Sequence, residues 1–395
     1  MTEQHNHILF IASWYPNRNA PALGNFIQRH AQAAALFNKI TVVYATPDKN
    51  IEEDNFEIVQ NHTSNLSEYL IYYGKVKTKI PFLSQLKKRN AYRKAIMHGL
   101  SFMQPQNALF NLIHVHVIWP AAIAVLPLLN KLNIPMIISE HWSGYLLEDG
   151  NFKGFIMRYT SKQLAKKAAH LTVVSERMKT EMIRHGFQNS FSTLANSVDV
   201  SLFNYVENKK NDGIFHLLHV SMLVDREKNI SGLLKVMHEL KNNVSIQLTI
   251  IGDGPEKKQH EELAKQMEIL DHNVTFLGFM NSNEVAHSMQ QADALIMFSN
   301  FEGMPVTIIE GLCCGLPIIA TNVGSISELV NESNGILLNL GDEKALLNAI
   351  LQMKENQQNY SAKTISENAS SKFNFETVGK QINELYLIAL AKNGR

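Results

Sequence analysis

The sequence predicts an α/β protein of two doubly wound domains, and three observations carry that prediction. Short apolar runs, often β-branched, alternate with helix-period patterns through the first half of the chain. The alternation restarts after the polar stretch "VENKKNDG" at 206–213, which ends in Gly213. Charge divides at the same place. Residues 1–205 hold 21 basic and 13 acidic side chains, a net of +8, and residues 206–395 hold 16 and 23, a net of −7.

The elements follow in order. In the first half, "HILFIAS" (7–13), "ITVVYAT" (40–46), "LIHVHV" (112–117), "PMIISEH" (135–141) and "LTVVS" (171–175) are near-continuous apolar runs. Strands of a parallel sheet covered on both faces look like this. Between them, "NFIQRHAQAAALFN" (25–38) places Phe26, His30, Ala33 and Phe37 at helical spacing, and "AAIAVLPLLNKLN" (121–133) is a second helix interrupted by Pro127. In the second half the strand runs are "FHLLHVSML" (215–223), "SIQLTIIGDG" (245–254), "NVTFLGF" (273–279), "ALIMFS" (294–299), "PIIAT" (317–321) and "GILLNL" (335–340). "FETVGKQINELYLIALAKN" (375–393) reads as a closing amphipathic helix. The expected boundaries are 1–205, 206–375 and 376–395. The last segment is expected to pack back toward the first domain.

Composition excludes several classes. A chain of 395 residues, 45% hydrophobic and 18% charged, is an ordinary globular protein with room for two cores. No apolar run reaches spanning length. The start, "MTEQHNHILFIASWYP", lacks a basic segment followed by a long apolar core, so it reads as a lead into a strand. The two cysteines, Cys313 and Cys314, are adjacent in an apolar helical context and read as core residues in a reducing cytoplasm. A near-neutral chain without a recognition module argues against nucleic acid. Between Leu70 and His98 there are eight basic residues and no acidic one, with Tyr72, Tyr73, Phe82 and Tyr92 interleaved. That segment has two readings: a solvated face, or a surface for anionic lipid or a lipid-diphosphate acceptor.

Ligands of open α/β sheets bind beyond the carboxyl ends of strands, so two facing domains place a cleft there. The stretch "SNFEGMPVTIIEGLCCGLPIIAT" (299–321) follows the strand run "ALIMFS" and carries two carboxylates, Glu302 and Glu310. Gly303 and Pro305 bar regular helix around Glu302, and Pro305 suits a helix start. Glu310 then lies inside that helix. The free N–H groups at its start are fit to receive a phosphate. "HVH" (114–116) puts two histidines on one face of a strand. Without a third ligand nearby in sequence, core or cleft lining is the favoured reading over a metal pair. "GDGP" (252–255) is not followed by a dinucleotide fingerprint. No Asp-x-Asp occurs.

The pattern S-x-x-E-G-x-P-x-x-x-x-E-G-x-x-x-G-x-P-I-I-A-T-x-V-G, from Ser299 to Gly324, resembles the donor-binding signature of the family-four glycosyltransferases, retaining enzymes of GT-B fold. "SWYPNRNAPALGNFIQRHAQA" (13–33), "HVHVIWPAAIA", "IISEHWSGY" (137–145), "LANSVDVSLF" (194–203), "IIGDGPEKKQHEELA" (250–264) and "VTFLGFM" (274–280) are similar to other family motifs and come in the family's order. The resemblance implies two Rossmann-like domains facing each other across a cleft, and transfer of a sugar from a UDP- or GDP-linked donor to a hydroxyl acceptor with retention. The implied acceptor is a glycan or a lipid-linked intermediate of a polysaccharide. The implied place is the cytoplasm, peripherally at the inner face of the membrane.

The resemblance also implies roles. Glu302 meets the donor sugar near the reacting centre, and His141 lies near the sugar and acceptor. Glu310 binds the ribose hydroxyls. Ser299 opens the signature, and the backbone at Gly303, Met304 and Val306 contacts sugar and phosphate. Pro305 has no N–H and serves geometry. Gly24 lets the backbone approach the diphosphate, Met280 falls at the base edge, and Lys228 offsets charge on the leaving diphosphate. The family commonly has an arginine six residues before that lysine, where this chain has Met222. Either Lys228 acts alone or Arg226 substitutes. No essential metal or other cofactor is expected. The competing readings are a nucleotide-sugar epimerase of the same fold and a non-catalytic sugar-nucleotide-binding homologue.

Overall fold

The apolar runs of both halves form parallel strands, because each run is long enough to cross a sheet and apolar enough to be covered on both faces. The computed structural model describes residues 5–76, 81–103, 110–207 and 212–392. It divides into two units, Met1–Ser197 with Phe375–Arg395, and Val198–Asn374.

The first unit holds an eight-stranded sheet. Its strands are β1 (His7–Ala12), β2 (Lys39–Asp48), β3 (Phe56–His62), β4 (Leu66–Gly74), β5 (Leu112–His116), β6 (Met136–Glu140), β7 (His170–Val173) and β8 (Phe191–Thr193), in the order β3-β4-β2-β1-β5-β6-β7-β8. All pairs are parallel except β3 with β4. The β3–β4 pair is absent from the sequence reading. β3 is largely exposed, and its "FEIVQNH" lacks the continuous apolar signature of its neighbours.

The second unit holds a six-stranded parallel sheet, β9 (Phe215–Val220), β10 (Ile246–Ile251), β11 (Val274–Gly278), β12 (Ala294–Met297), β13 (Ile318–Thr321) and β14 (Gly335–Leu338), in the order β11-β10-β9-β12-β13-β14. Each corresponds to a run read from the sequence. Cys313 and Cys314 are fully buried in one of this unit's two apolar cores.

The unit boundaries differ from those expected. Val198 donates its N–H to the Phe373 carbonyl at 2.8 Å, and Val198 and Phe203 are buried in the second unit's core. The first boundary therefore falls at 197/198, before the polar stretch at 206–213, of which residues 208–211 lie outside the described residues. The final helix, Phe375–Lys392, belongs to the first unit and packs on the helix Asn25–Ala35. A Cβ on Gly379 would lie 2.3 Å from the Ala33 carbonyl oxygen, so this close crossing requires glycine.

The segment 70–98 corrects the idea of interleaved interfacial aromatics. Tyr72 and Tyr73 are buried in β4, and Tyr92 is buried on the helix Pro81–Met103. Their rings are core. Lys87, Lys88, Arg93 and Lys94 are exposed, while Lys77 and Lys79 lie outside the described residues.

Candidate functional site

In the second unit β12 ends at Met297, and the chain runs through Ser299–Pro305 into the helix Val306–Cys313. Glu302 is buried in that connection. Its Oε1 accepts from Ser299 Oγ at 2.7 Å and from Lys228 Nζ at 2.6 Å. Lys228 ends the short helix Asp225–Lys228, where Asn229 turns left-handed at φ 50°. Two further bonds tie the loops together: Asn300 donates its backbone N–H to Glu227 O at 2.8 Å and its side-chain amide to Arg226 O at 3.1 Å. Buried carboxylates persist only when paired and hydrogen-bonded, and Glu302 has both kinds of partner.

The loop after β13 supports the same place. A Cβ on Gly324 would lie 1.9 Å from the Glu302 carbonyl oxygen, and Gly324 sits at φ +58°, so no other residue fits without moving Glu302. Ser325 N–H donates to Gly303 O at 3.1 Å. Pro305 flanks the helix start with extended backbone, leaving the N–H groups of its first turn at the loop end. Glu310 lies inside that helix and is buried. Met280 lies two residues after β11 and directly precedes the capping box of Asn281 and Glu284.

The "GDG" of 252–254 has a positional job. A Cβ on Gly252 would lie 1.8 Å from Ser221 O, and one on Gly254 would lie 2.5 Å from Leu223 O. Both glycines let β10's end pack against the 221–223 turn, where Leu223 N–H donates to Asp253 O at 2.9 Å. Met222 in that turn is exposed, and Arg226 is exposed with its guanidinium 5.4 Å from the Phe301 ring centre. His219, missed in the sequence, lies under the turn. Its Nδ1 meets Ile296 O at 2.9 Å and its Nε2 meets Ser221 Oγ at 2.7 Å. Burial depresses it to about 4, with Lys228 adding to the effect, so it is neutral at physiological pH.

In the first unit Gly24 sits at φ +67° before the helix Asn25–Ala35. A Cβ there would lie 2.6 Å from Trp14 C, so close packing on the 14–15 backbone already demands glycine. His141 directly follows β6. Its Nδ1 meets Asn196 Oδ1 at 3.2 Å, and its Nε2 is buried without a partner. Both ring nitrogens face inward within the unit. The residue before it, Glu140, is fully buried and accepts from Ile118 N, His141 N, Trp142 N and Tyr145 Oη at 2.9–3.0 Å. Burial pushes Glu140 above the usual carboxylate range, and those donors pull it back. Glu140 thus shapes the turns after β5 and β6 at once. Its role is not legible in the sequence because its donors come from two turns, after β5 and after β6, that are distant in the chain.

The comparisons with known proteins decide the family. Residues 30–202 match Glycosyltransferase Family 4, and residues 204–372 match Glycosyl transferases group 1. This chain is a family-four glycosyltransferase. It is similar to a putative teichuronic acid biosynthesis glycosyltransferase of Bacillus subtilis, 26% identical over 89% of this chain and 90% of that one. Sucrose-phosphate synthase from Thermosynechococcus elongatus has the same fold, with a TM-score of 0.79 at 19% identity over 98% of this chain and 100% of that chain. Anabaena HepE, solved in complex with UDP, gives 0.72 at 18% identity over 96% and 99%. The fold of this glycosyltransferase is GT-B. Among its described residues no helix is long and apolar enough to cross a membrane.

Proposed function

We propose that this glycosyltransferase moves a sugar from a UDP- or GDP-linked donor to a hydroxyl of a glycan or lipid-linked acceptor, with retention. The observation that carries the reading is the Lys228–Glu302–Ser299 constellation, set at a strand's carboxyl end before a helix N-terminus. The HepE complex with UDP supports a nucleotide-linked donor, and the relative assigned to teichuronic acid biosynthesis supports a glycan acceptor.

In this reading Glu302 receives hydroxyls of the donor sugar. Lys228 shares its cation between Glu302 and the diphosphate, and the N–H groups at Gly303, Met304 and Val306 meet the sugar and phosphate. In the same reading Arg226, exposed beside the Phe301 ring, substitutes for the arginine missing at Met222. Glu310 takes the ribose diol, a pair of donors suited to an acceptor-only carboxylate. Gly24 and Met280 border the diphosphate and base. The bond from the anomeric carbon to the diphosphate oxygen breaks, and the acceptor oxygen bonds that carbon on the same face. The acceptor proton passes to the departing phosphate oxygen. His141 acts from the acceptor side by position, since a proton relay through it requires the ring to swing out. No step is assigned to a metal.

The exposed Lys87, Lys88, Arg93 and Lys94 of the helix Pro81–Met103 support peripheral binding to an anionic membrane surface. Sedimentation with phosphatidylglycerol vesicles at low salt, absent with neutral vesicles, is the expected result. The donor assignment is tested by a thermal-shift screen of nucleotide diphosphates and nucleotide sugars, followed by product analysis with candidate acceptors. A rise in melting temperature with uridine or guanosine diphosphate is expected. No shift with either sinks the reading.

A further inference from the structure

Three histidines from separate elements meet inside the first unit. His30 comes from the helix Asn25–Ala35, His116 ends β5, and His141 follows β6. One ring nitrogen from each lies within 4.8 Å of the others. His30 and His116 are fully buried.

Their hydrogen bonds determine where the lone pairs point. His30 Nε2 faces the Ala195 carbonyl oxygen at 3.0 Å, so that nitrogen carries the proton and Nδ1 carries a lone pair. His141 Nδ1 faces Asn196 Oδ1 at 3.2 Å, so Nε2 carries the lone pair. His30 Nδ1, His141 Nε2 and both nitrogens of His116 are buried without a hydrogen-bond partner. A neutral His116 has a single N–H, which satisfies one of the two facing lone pairs at most. A buried acceptor is therefore left over, with its desolvation uncompensated. Elsewhere on the strand the contrast is plain: His114 has Tyr386 Oη at 2.8 Å and Ser139 Oγ at 2.7 Å.

We propose that His30, His116 and His141 form a binding site for one divalent transition-metal cation of the zinc type. Neutral imidazole is the ligand such cations take, three histidines with an open fourth position being an established zinc arrangement. The outer contacts also fit. Metal-bound histidines donate their other N–H to a carbonyl or amide oxygen, as His30 and His141 do to the consecutive residues Ala195 and Asn196. Zinc–nitrogen bonds of about 2.0–2.1 Å with tetrahedral angles require the three nitrogens, now within 4.8 Å of one another, to close in by roughly 0.9 Å each at most. His141 is the least buried of the three ligands. The bound ion would tie the helix after Gly24 to the ends of β5 and β6, and would hold the His141 ring in its inward pose. The metal site shares His141 with the proposed transfer site, while His30 and His116 take no part in that transfer.

The test uses full-length, tag-free protein stripped with chelator and titrated calorimetrically with zinc sulfate. One zinc per chain with micromolar or tighter affinity is expected, together with a higher melting temperature. H116F and H30F are each expected to weaken binding at least 100-fold. No zinc binding by the stripped wild-type chain overturns the proposal, as does undiminished binding by a folded H116F. If both variants fail to fold, cobalt(II) titration of the wild-type chain decides. Intense visible bands of a low-coordinate nitrogen site uphold the proposal, and a weak six-coordinate spectrum overturns it.

Discussion

Lys228 Nζ lies 2.6 Å from Glu302 Oε1, an ion pair between residues 74 positions apart, with both side chains largely shielded from water. A pair of this kind is strongly destabilised when one partner is removed, because the other charge stays buried. Lys228→Ala is expected to lower kcat/KM about 100-fold, in the range of losing one preorganised charge contact, and to lower the urea midpoint. Steady-state kinetics with the donor found by thermal shift, beside urea unfolding, check both. Full activity in Lys228→Ala would refute the assignment.

Gly324 tests the support of Glu302 without touching the donor. Its Cβ would overlap the Glu302 carbonyl oxygen, and its φ is left-handed. Gly324→Ala is expected to cost about 2 kcal/mol or more in stability and to lower kcat, because the loop bearing Glu302 must shift. Wild-type kcat in a folded Gly324→Ala would show that the 322–325 turn does not position Glu302.

Glu310 separates nucleotide binding from chemistry. In Glu310→Gln the donor KM is expected to rise about tenfold, or roughly 1.4 kcal/mol, with kcat little changed. The sharper readout is selectivity. The wild-type chain is expected to prefer the ribonucleotide over its 2′-deoxy analogue, and the variant to lose most of that preference. Equal discrimination by both proteins removes Glu310 from the ribose.

Buried histidines set the acid limit. Burial depresses His30 and His219 to about 4, and holds His114, His116 and His141 well below the usual imidazole range. Unfolded histidines take up protons near 6.5, so between about pH 6.5 and 4 the unfolded state binds more protons. Stability therefore falls as pH falls through that window, by about 1.4 kcal/mol per unit of depression for each group. Glu140, pushed upward by burial, works in the opposite direction: its contribution is largest below the ordinary glutamate range and is lost as pH rises. The histidines outnumber it. Urea midpoints at pH 7.5 and pH 5 are expected to differ clearly, the lower at pH 5. Equal midpoints would show that the buried rings are not held neutral.

Much of the site was legible because its signals are local. Glu302, Gly303, Pro305 and Glu310 are spaced by the geometry of a loop entering a helix, and that spacing survives in one dimension. Gly324 stands in the same motif, yet its role was not legible, since the atom it must avoid belongs to Glu302. "GDGP" carries no dinucleotide fingerprint, and the structure shows why its glycines are there: they let β10's end pack against the 221–223 turn. Tyr72, Tyr73 and Tyr92 looked interfacial among lysines. Tyr72 and Tyr73 are buried because β4 is covered on both faces, and Tyr92 because of the helix face it occupies, which a count of neighbouring charges does not see.

By itself the sequence determined the two α/β halves, all six strands of the second sheet and the loop-to-helix turn around Gly303 and Pro305. Each depends on a period or a turn chemistry contained within a few residues. Only the tertiary structure decided that Lys228 meets Glu302, that the chain changes units at 197/198, and that His116 finds His30 and His141. Those meetings depend on strand order and on which faces pack, and a strand's place in a sheet is set by contacts far away in the chain.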